Sequence, residues 1–107
     1  MALAETTTVE TEGALKALAS DKRLKILDWL KDVQANFPPQ EHGDPVTEGA
    51  CNLFIVEKLG VSQPTGSRHL KVLVDAGLVV ATRRKGWTYY RRNEDAIAAV
   101  AERMREI

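Results

Sequence analysis

The fold is decided by residues 59–73, which read LGVSQPTGSRHLKVL. Gly60 suits the left-handed backbone position that follows a helix, and Ser62 can cap the helix that comes next. Segment 52–59, before the glycine, has apolar residues at helical spacing, and Asn52 is a good N-cap for it. The pattern therefore predicts a short helix, a three-residue turn and a longer helix. The apolar side chains of the short helix are expected to face inward or toward the neighbouring helix: Leu53, Ile55, Val56 and Leu59.

The two faces of the longer helix carry different kinds of side chain. Leu70 and Leu73, with Gly66 one turn earlier, share one face and are expected to pack inward. The opposite face presents residue types that hydrogen-bond base edges in a major groove. The residues expected to read bases are Gln63, Ser67 and Arg68. This arrangement predicts a helix-turn-helix that projects its second helix into DNA.

After Gly77 the sequence changes from helical spacing to residues typical of strands. Segments 78–82 and 87–90 are rich in β-branched and aromatic residues, and Lys85-Gly86 lies between them as a hairpin turn. A basic hairpin beside a recognition helix is suited to contact the DNA backbone or the minor groove. The residues expected to contact the DNA backbone are Ser62, Thr65, Lys71, Arg83, Arg84 and Lys85.

Three more helices are predicted outside this region. The first covers residues 12–19, the second runs from 21 to about 35, and the last follows its cap Asn93. The resulting order, α-α-α-α-β-β-α, is that of a mostly helical winged helix-turn-helix. Residues 1–10 are predicted to form a flexible tail, and residues 11–107 a single domain for DNA binding and dimerisation.

The net charge is zero, but the charges are divided along the chain. Residues 63–92 contain seven basic residues and one acid, whereas residues 5–48 contain nine acids and five bases. A local positive field, rather than the total charge, attracts a phosphate backbone. Since the chain has one cysteine, no long apolar run and an acidic start, we expect a cytoplasmic protein without disulfides or membrane contact.

Three stretches together resemble the ArsR/SmtB family of bacterial repressors. They are residues 59–73, DAGLV at 75–79 and RRKGWTYY at 83–90. Residues 17–27, ALASDKRLKIL, resemble the opening helices of the family, so the likeness covers about residues 13–107. The resemblance implies an autoregulating repressor that binds a palindromic operator near its own gene. It also implies base reading by the same three residues of the longer helix.

A homodimer built from the first and last helices is a further implication of the resemblance. The residues expected to form it are Leu15, Leu18, Ile97, Val100, Ala101 and Met104. Release from DNA would follow an unidentified small-molecule or redox signal that changes the geometry of the dimer.

Both metal sites of the family are absent or broken in this sequence. Members that sense arsenic, cadmium or lead carry a Cys-x-Cys pair, which falls here on Cys51 and Leu53, so a single thiolate remains. Zinc and nickel sensors place histidine and carboxylates on the last helix, and residues 93–107 contain no histidine. We therefore expect no metal and no cofactor. Cys51 stays a candidate oxidation sensor.

A different metal site is an alternative at this point. Glu41, His42, Asp44, Glu48 and Cys51 are close in sequence and could converge on an ion, although a polar loop with one half-buried thiol is the simpler interpretation. Under that alternative the chain would be a metalloregulator with a novel site.

Four other interpretations are weaker. Trp87 with Tyr89 could form an aromatic wall for a ligand, but strand packing is their expected role. His69 is expected to pack or to contact phosphate rather than to bind a metal. A protein-interaction module would carry apolar residues on the recognition face, where this chain is polar and basic. No enzyme is expected, because no nucleophile-base pair, phosphate-binding glycine loop or multi-ligand metal site is evident.

Overall fold

The computed structural model describes residues 10–107. In chain order the elements are α1 (Thr11–Leu18), α2 (Asp21–Trp29), α3 (Val33–Asn36), β1 (Ala50–Cys51), α4 (Asn52–Leu59), α5 (Gln63–Asp75), β2 (Val79–Arg84), β3 (Trp87–Arg92) and α6 (Glu94–Arg105). This is the predicted order with one short helix and one short strand added. Of the predicted tail, residues 1–9 lie outside the described residues. Glu10 caps α1, since its carboxylate accepts the N–H groups of Glu12 and Gly13.

The single helix predicted over residues 21–35 is wrong. α2 ends at Trp29, and the chain turns before α3 begins. The Asp32 carboxylate accepts the N–H of Ala35, and the Asn36 amide donates to the carbonyls of Trp29 and Asp32. These short polar side chains offer the backbone local hydrogen bonds that compete with a continuous helix.

Three antiparallel strands form one sheet in the order β1-β3-β2. The sequence does not predict β1, because a strand of two residues is too short to show alternation. Its Ala50 and Cys51 pair with Tyr90 and Tyr89 of β3. Cys51 also occupies the N-cap position of α4, where its side chain makes no capping bond. The predicted cap Asn52 is therefore wrong, since that residue is the first of the helix.

The core lies where α2, α4, α5 and the start of β2 meet. Its largest fully buried side chains are Ile26, Ile55, Leu70, Leu73 and Leu78. The predicted inward face of α4 is wrong for Leu53, which is 42% exposed because it borders the loop 39–42 across a cavity. None of the described helices is long and apolar enough to cross a membrane.

The end of the sheet fixes α6 and α2. Asn93, the predicted cap of α6, accepts a backbone N–H from the first turn and donates its amide to the carbonyl of Gly77. Arg92, the last residue of β3, donates to the carbonyl of Leu27 in α2 and to the carboxylate of Glu94. The last helix is thereby attached to the strands that support the hairpin.

Candidate nucleic-acid interface

The turn between α4 and α5 has the predicted geometry. Gly60 is left-handed, with φ of 74°, and the Ser62 hydroxyl accepts the N–H of Thr65 at 3.3 Å. Gly66 lies directly against α4, because a Cβ at this position would fall 2.5 Å from Cγ2 of Val56. No larger residue fits without movement of one helix, so Gly66 fixes the distance at which α5 packs against α4.

The outward face of α5 carries the predicted base-reading residues. Gln63, Ser67 and Arg68 are all exposed, and Gln63 Nε2 donates to Ser67 Oγ at 3.5 Å, one turn away. Leu70 and Leu73 on the opposite face are buried, as predicted. The structure thus brings the three residues together on the exposed side of a helix whose other side is fixed in the core.

Three predicted phosphate contacts surround this exposed strip. Ser62 and Thr65 lie at the start of α5, where the helix dipole favours anions, and their hydroxyl groups are 3.0 Å apart. Lys71 forms an ion pair of 3.1 Å with Asp75, and both side chains are largely exposed. An exposed pair of this kind is worth about 0.3–0.5 kcal/mol, so Lys71 can exchange its partner for a phosphate at little expense.

The hairpin formed by β2 and β3 has its basic residues at the tip. The register pairs Arg84 with Trp87, and Lys85 and Gly86 form the turn between them, with φ of 53° and 84°. Two successive positive values are those of a type I′ turn, which matches the twist of the strands. Arg83, Arg84 and Lys85 are all exposed, as a DNA-contacting wing requires.

Two arginines within residues 63–92 are already paired with acids. Arg84 Nη1 lies 3.1 Å from a carboxylate oxygen of Glu48, in the loop before β1. Arg92 donates two hydrogen bonds to Glu94, and these bonds lower the pKa of that carboxyl. Because its side chain is only 12% exposed, Arg92 stabilises the fold rather than offering a free positive charge. The sequence predicted neither pairing.

His69 has a role that sequence reasoning missed. Its Nδ1 lies 3.0 Å from Arg23 Nη1, and it accepts this hydrogen bond because a guanidinium can only donate. Arg23 also donates to the carbonyls of Ala17 and Lys16 in α1. Burial, followed by the charge of Arg23, lowers the pKa of His69, so the neutral ring is favoured. One arginine therefore connects the exposed helix α5 to α1.

Comparison with known sequences identifies the family. Residues 51–80 match the model of the bacterial regulatory proteins of the arsR family. The chain is 42% identical over 94 residues to YbzH of Bacillus subtilis, an uncharacterized HTH-type transcriptional regulator, with 88% of this chain and 94% of YbzH covered. The chain belongs to the ArsR family. The chain is also 31% identical over 86 residues to the arsenical resistance operon repressor of Bacillus subtilis, with 80% of this chain and 69% of the repressor covered.

Solved structures confirm the predicted winged helix-turn-helix. A fragment, residues 1–100, of a "possible transcriptional regulatory protein" from Mycobacterium bovis superimposes with a TM-score of 0.62 at 30% identity, over 87% of this chain and 85% of that one. The solution structure of the same fragment, a homodimeric winged helix-turn-helix DNA-binding domain, gives a TM-score of 0.62 at 29% identity, over 87% of this chain and 73% of that one. This ArsR-family chain is a DNA-binding transcriptional regulator and not an enzyme.

The residues predicted for dimerisation in this ArsR-family chain lie on or beside one apolar groove. The groove has a volume of about 250 Å³ and lies beside α1 and α6. Its lining includes five of the six predicted residues: Leu18, Ile97, Val100, Ala101 and Met104. Leu15, the sixth, lies on α1 and is 40% exposed, as is Met104. Val100 is buried within the chain, so it also belongs to the chain's own core.

The loop before β1 is organised by its acids. Glu48 accepts the N–H of Asp44 and pairs with Arg84. Cys51, the candidate sensor, is buried, and its Sγ lies 3.7 Å from Oδ1 of Asn52. Within residues 10–107, no three side chains among the His, Cys, Asp and Glu residues are grouped so as to hold a metal ion. The alternative metal site is therefore not assembled in the described part of the chain.

Proposed function

We propose that this regulator is a repressor that occupies a palindromic operator as a homodimer. The observation that carries the proposal is the exposed strip of Gln63, Ser67 and Arg68 on a helix whose reverse face is buried. A helix seated in this way presents fixed donors and acceptors to a major groove. The three residues read bases, and Arg68 supplies the strongest preference because it can bond guanine bidentately.

Affinity for the DNA backbone comes from residues around that strip. Ser62 and Thr65 place hydroxyl groups at the positive end of the α5 helix dipole, and Lys71 adds a charge further along the helix. Arg83 and Lys85 extend the positive surface onto the wing, together with Arg84 when it leaves Glu48. These contacts carry no sequence information and depend on salt.

The groove beside α1 and α6 supports self-association. Its lining is apolar except for Arg92, and Leu15 and Met104 leave large apolar surfaces exposed nearby. A solved relative from Mycobacterium bovis is homodimeric. In a two-fold dimer the two α5 helices would enter successive major grooves about 34 Å apart, and the operator would be an inverted repeat.

Repression would follow from occupancy of a promoter near the protein's own gene. The similarity to an arsenical resistance operon repressor supports this direction of control over activation. Release would occur when an inducer, a small molecule or a redox signal acting through Cys51, shifts the dimer away from the spacing that fits the operator.

Fluorescence anisotropy with the reduced, metal-free protein tests the proposal. The DNA upstream of the protein's own gene is compared with a scrambled duplex at the same moderate salt concentration. We expect operator affinity to exceed affinity for the scrambled duplex by at least about 10³-fold. Equal binding to both duplexes, or none, would contradict the proposal.

Dimerisation is tested by Met104→Glu, which places a charge on an exposed side chain of the groove. Because the residue is not in the core, the variant should stay folded but sediment as a monomer and lose operator binding. Val46→Glu, at an exposed loop residue that does not line the groove, is the matched control and should sediment as the wild type does. Dimeric Met104→Glu protein would refute this interface.

A further inference from the structure

A second cavity lies on the opposite side of β3 from the core. It has a volume of about 240 Å³ and lies between the loop 39–42, the first turns of α4 and the start of β3. The residues that form its walls are Pro39, Leu53, Phe54, Trp87 and Tyr89, with Gln40, Glu41, His42 and Cys51 completing it. Neither the proposed DNA contacts nor the dimer groove uses this cavity.

The walls of the cavity are preformed. Gln40 fixes the loop, because its amide donates to the carbonyls of Gly43 and Gly49 and its oxygen accepts the N–H of Cys51. Two large side chains nevertheless stay open to solvent here, since Trp87 is 41% and Leu53 is 42% exposed. Strand packing, the role expected for Trp87, therefore leaves much of its ring uncovered. Exposed apolar surface beside a preformed cavity is typical of a ligand site.

Tyr89 gives the cavity a polar group. The residue is only 3% exposed. Its side chain lines the cavity, beside Trp87 of the same strand. Burial raises the pKa of Tyr89, so the hydroxyl remains protonated and can both donate and accept.

The size and chemistry of the site select one class of ligand. An apolar cavity of roughly 150 Å³ accepts benzene, so this one has room for one ring with a small substituent. Phe54 and Trp87 offer aromatic surfaces, and none of the described residues that line the cavity is a lysine or an arginine. With Glu41 at its edge, the cavity disfavours anions.

We propose that this cavity binds a small neutral phenol and that its occupancy weakens the contact of the wing with DNA. The ring packs against Trp87 and Phe54, and its hydroxyl bonds that of Tyr89. Trp87 is the strand partner of Arg84, so a ligand against it acts on the wing at the position of a DNA-contacting residue. The second half of the proposal rests on the proposed function, because it requires the wing to contact DNA.

Binding is tested without DNA by titrating phenol into ¹⁵N-labelled protein. The chain has two tryptophans, so its two indole N–H signals report on different places. We expect the Trp87 signal and the amide signals of Cys51 and Phe54 to move in a saturable way, while the Trp29 signal stays in place. Equal movement of both indole signals, or no movement, would overturn the site.

Two variants and one control locate the ligand. Leu53→Glu places a charge at the mouth of the cavity and should weaken phenol binding at least tenfold. Leu24→Glu, at a leucine that is equally exposed on α2, should change it less than twofold. Tyr89→Phe should lower the preference for phenol over toluene about fivefold, as expected for the loss of one hydrogen bond. An unchanged preference would refute the assigned role of the hydroxyl.

The effect on DNA is measured by anisotropy with and without saturating phenol. Wild-type affinity should fall at least threefold, and that of Leu53→Glu should not. If the wild-type affinity for DNA is unchanged although the Trp87 signal shows full occupancy, the ligand does not control the wing. If the protein binds no DNA at all but the Trp87 signal still saturates, the proposed function fails and the ligand site stands.

Discussion

The helix α5 and the wing are both exposed to solvent on one side, but they are supported in different ways. α5 is capped by Ser62, seated through Gly66 and anchored by the buried Leu70 and Leu73. The tip of the wing is supported by strand pairing, a type I′ turn and the ion pair of Arg84 with Glu48. We therefore propose that α5 supplies the sequence preference, because its side chains are held in place, and that the wing supplies affinity that is less sensitive to position.

Gly66→Ala should have the largest effect, because it disturbs the packing of α5 against α4. Alanine is a better helix former by about 1 kcal/mol, but overpacking a filled contact destabilises by about 1–3 kcal/mol. Because the new Cβ would fall 2.5 Å from Val56, packing should prevail. We expect a net loss of stability in urea unfolding and a loss of operator binding of more than about a hundredfold, since misplaced side chains lose their base contacts.

A second substitution and a control make this prediction specific. Val56→Ala removes the methyl groups that the new Cβ would meet, so the double variant should recover part of the operator binding that Gly66→Ala loses. Gly60→Asn is the control, because nothing lies within 4 Å of a Cβ there and asparagine tolerates a positive φ. If Gly66→Ala binds the operator as well as Gly60→Asn does, the distance at which α5 packs on α4 does not affect operator binding.

Arg68→Ala should weaken the recognition of the operator sequence without weakening general affinity for DNA. Loss of a bidentate guanine contact typically removes about 1–3 kcal/mol, so operator binding should weaken by about five- to 150-fold. The preference at one base pair should relax, and binding to a scrambled duplex should change little. Anisotropy with operators substituted at each position provides the measurement. An equal loss on operator and scrambled DNA would assign Arg68 to the backbone instead.

Lys85→Asn should show the opposite pattern at the wing. Asparagine followed by glycine is the preferred sequence for a type I′ turn, so the hairpin should remain as stable as before. Affinity should fall by the same factor on operator and scrambled DNA, and the slope of log K against log salt should decrease by about 1. Lys25→Gln, at an exposed residue of α2, removes an equal charge away from the wing and should leave that slope unchanged.

Local signals in α5 and in the wing could be predicted from the sequence, whereas contacts between distant segments could not. The cap Ser62, the left-handed Gly60 and the Lys85-Gly86 turn are local signals, and all three are confirmed. β1 was missed because its two residues carry no periodic pattern. The bond between Arg23 and His69 joins residues 46 apart in sequence. Such contacts depend on how the elements pack, so no local pattern could have predicted them.

The hydrogen bond between Arg23 and His69 makes the stability of the fold depend on pH. Since burial and nearby positive charge lower the pKa of His69, the folded protein takes up a proton less readily than the unfolded chain. This contribution to stability is present above pH 6.5, the ordinary value, and is lost as the pH falls below it. His69→Gln keeps an acceptor for Arg23, so its unfolding in urea should lose less stability between pH 8 and pH 5.5 than wild type.

His42→Gln provides the comparison for this measurement, because it removes the other histidine at an exposed loop position. Its stability should follow the wild-type pH dependence. If His42→Gln and His69→Gln respond alike to acid, the hydrogen bond to Arg23 is not the source of the effect.

The smallest expected effect concerns the ion pair at the wing. Glu48→Gln keeps the oxygen that accepts the N–H of Asp44 but releases Arg84. A partly exposed pair is worth about 0.2–1 kcal/mol, so affinity for operator and scrambled DNA alike should rise by about two- to threefold. Glu41→Gln removes the same charge from the same loop and should raise affinity less, because it frees no arginine. If the two variants bind alike, general repulsion accounts for the gain and Arg84 contributes nothing of its own to the wing.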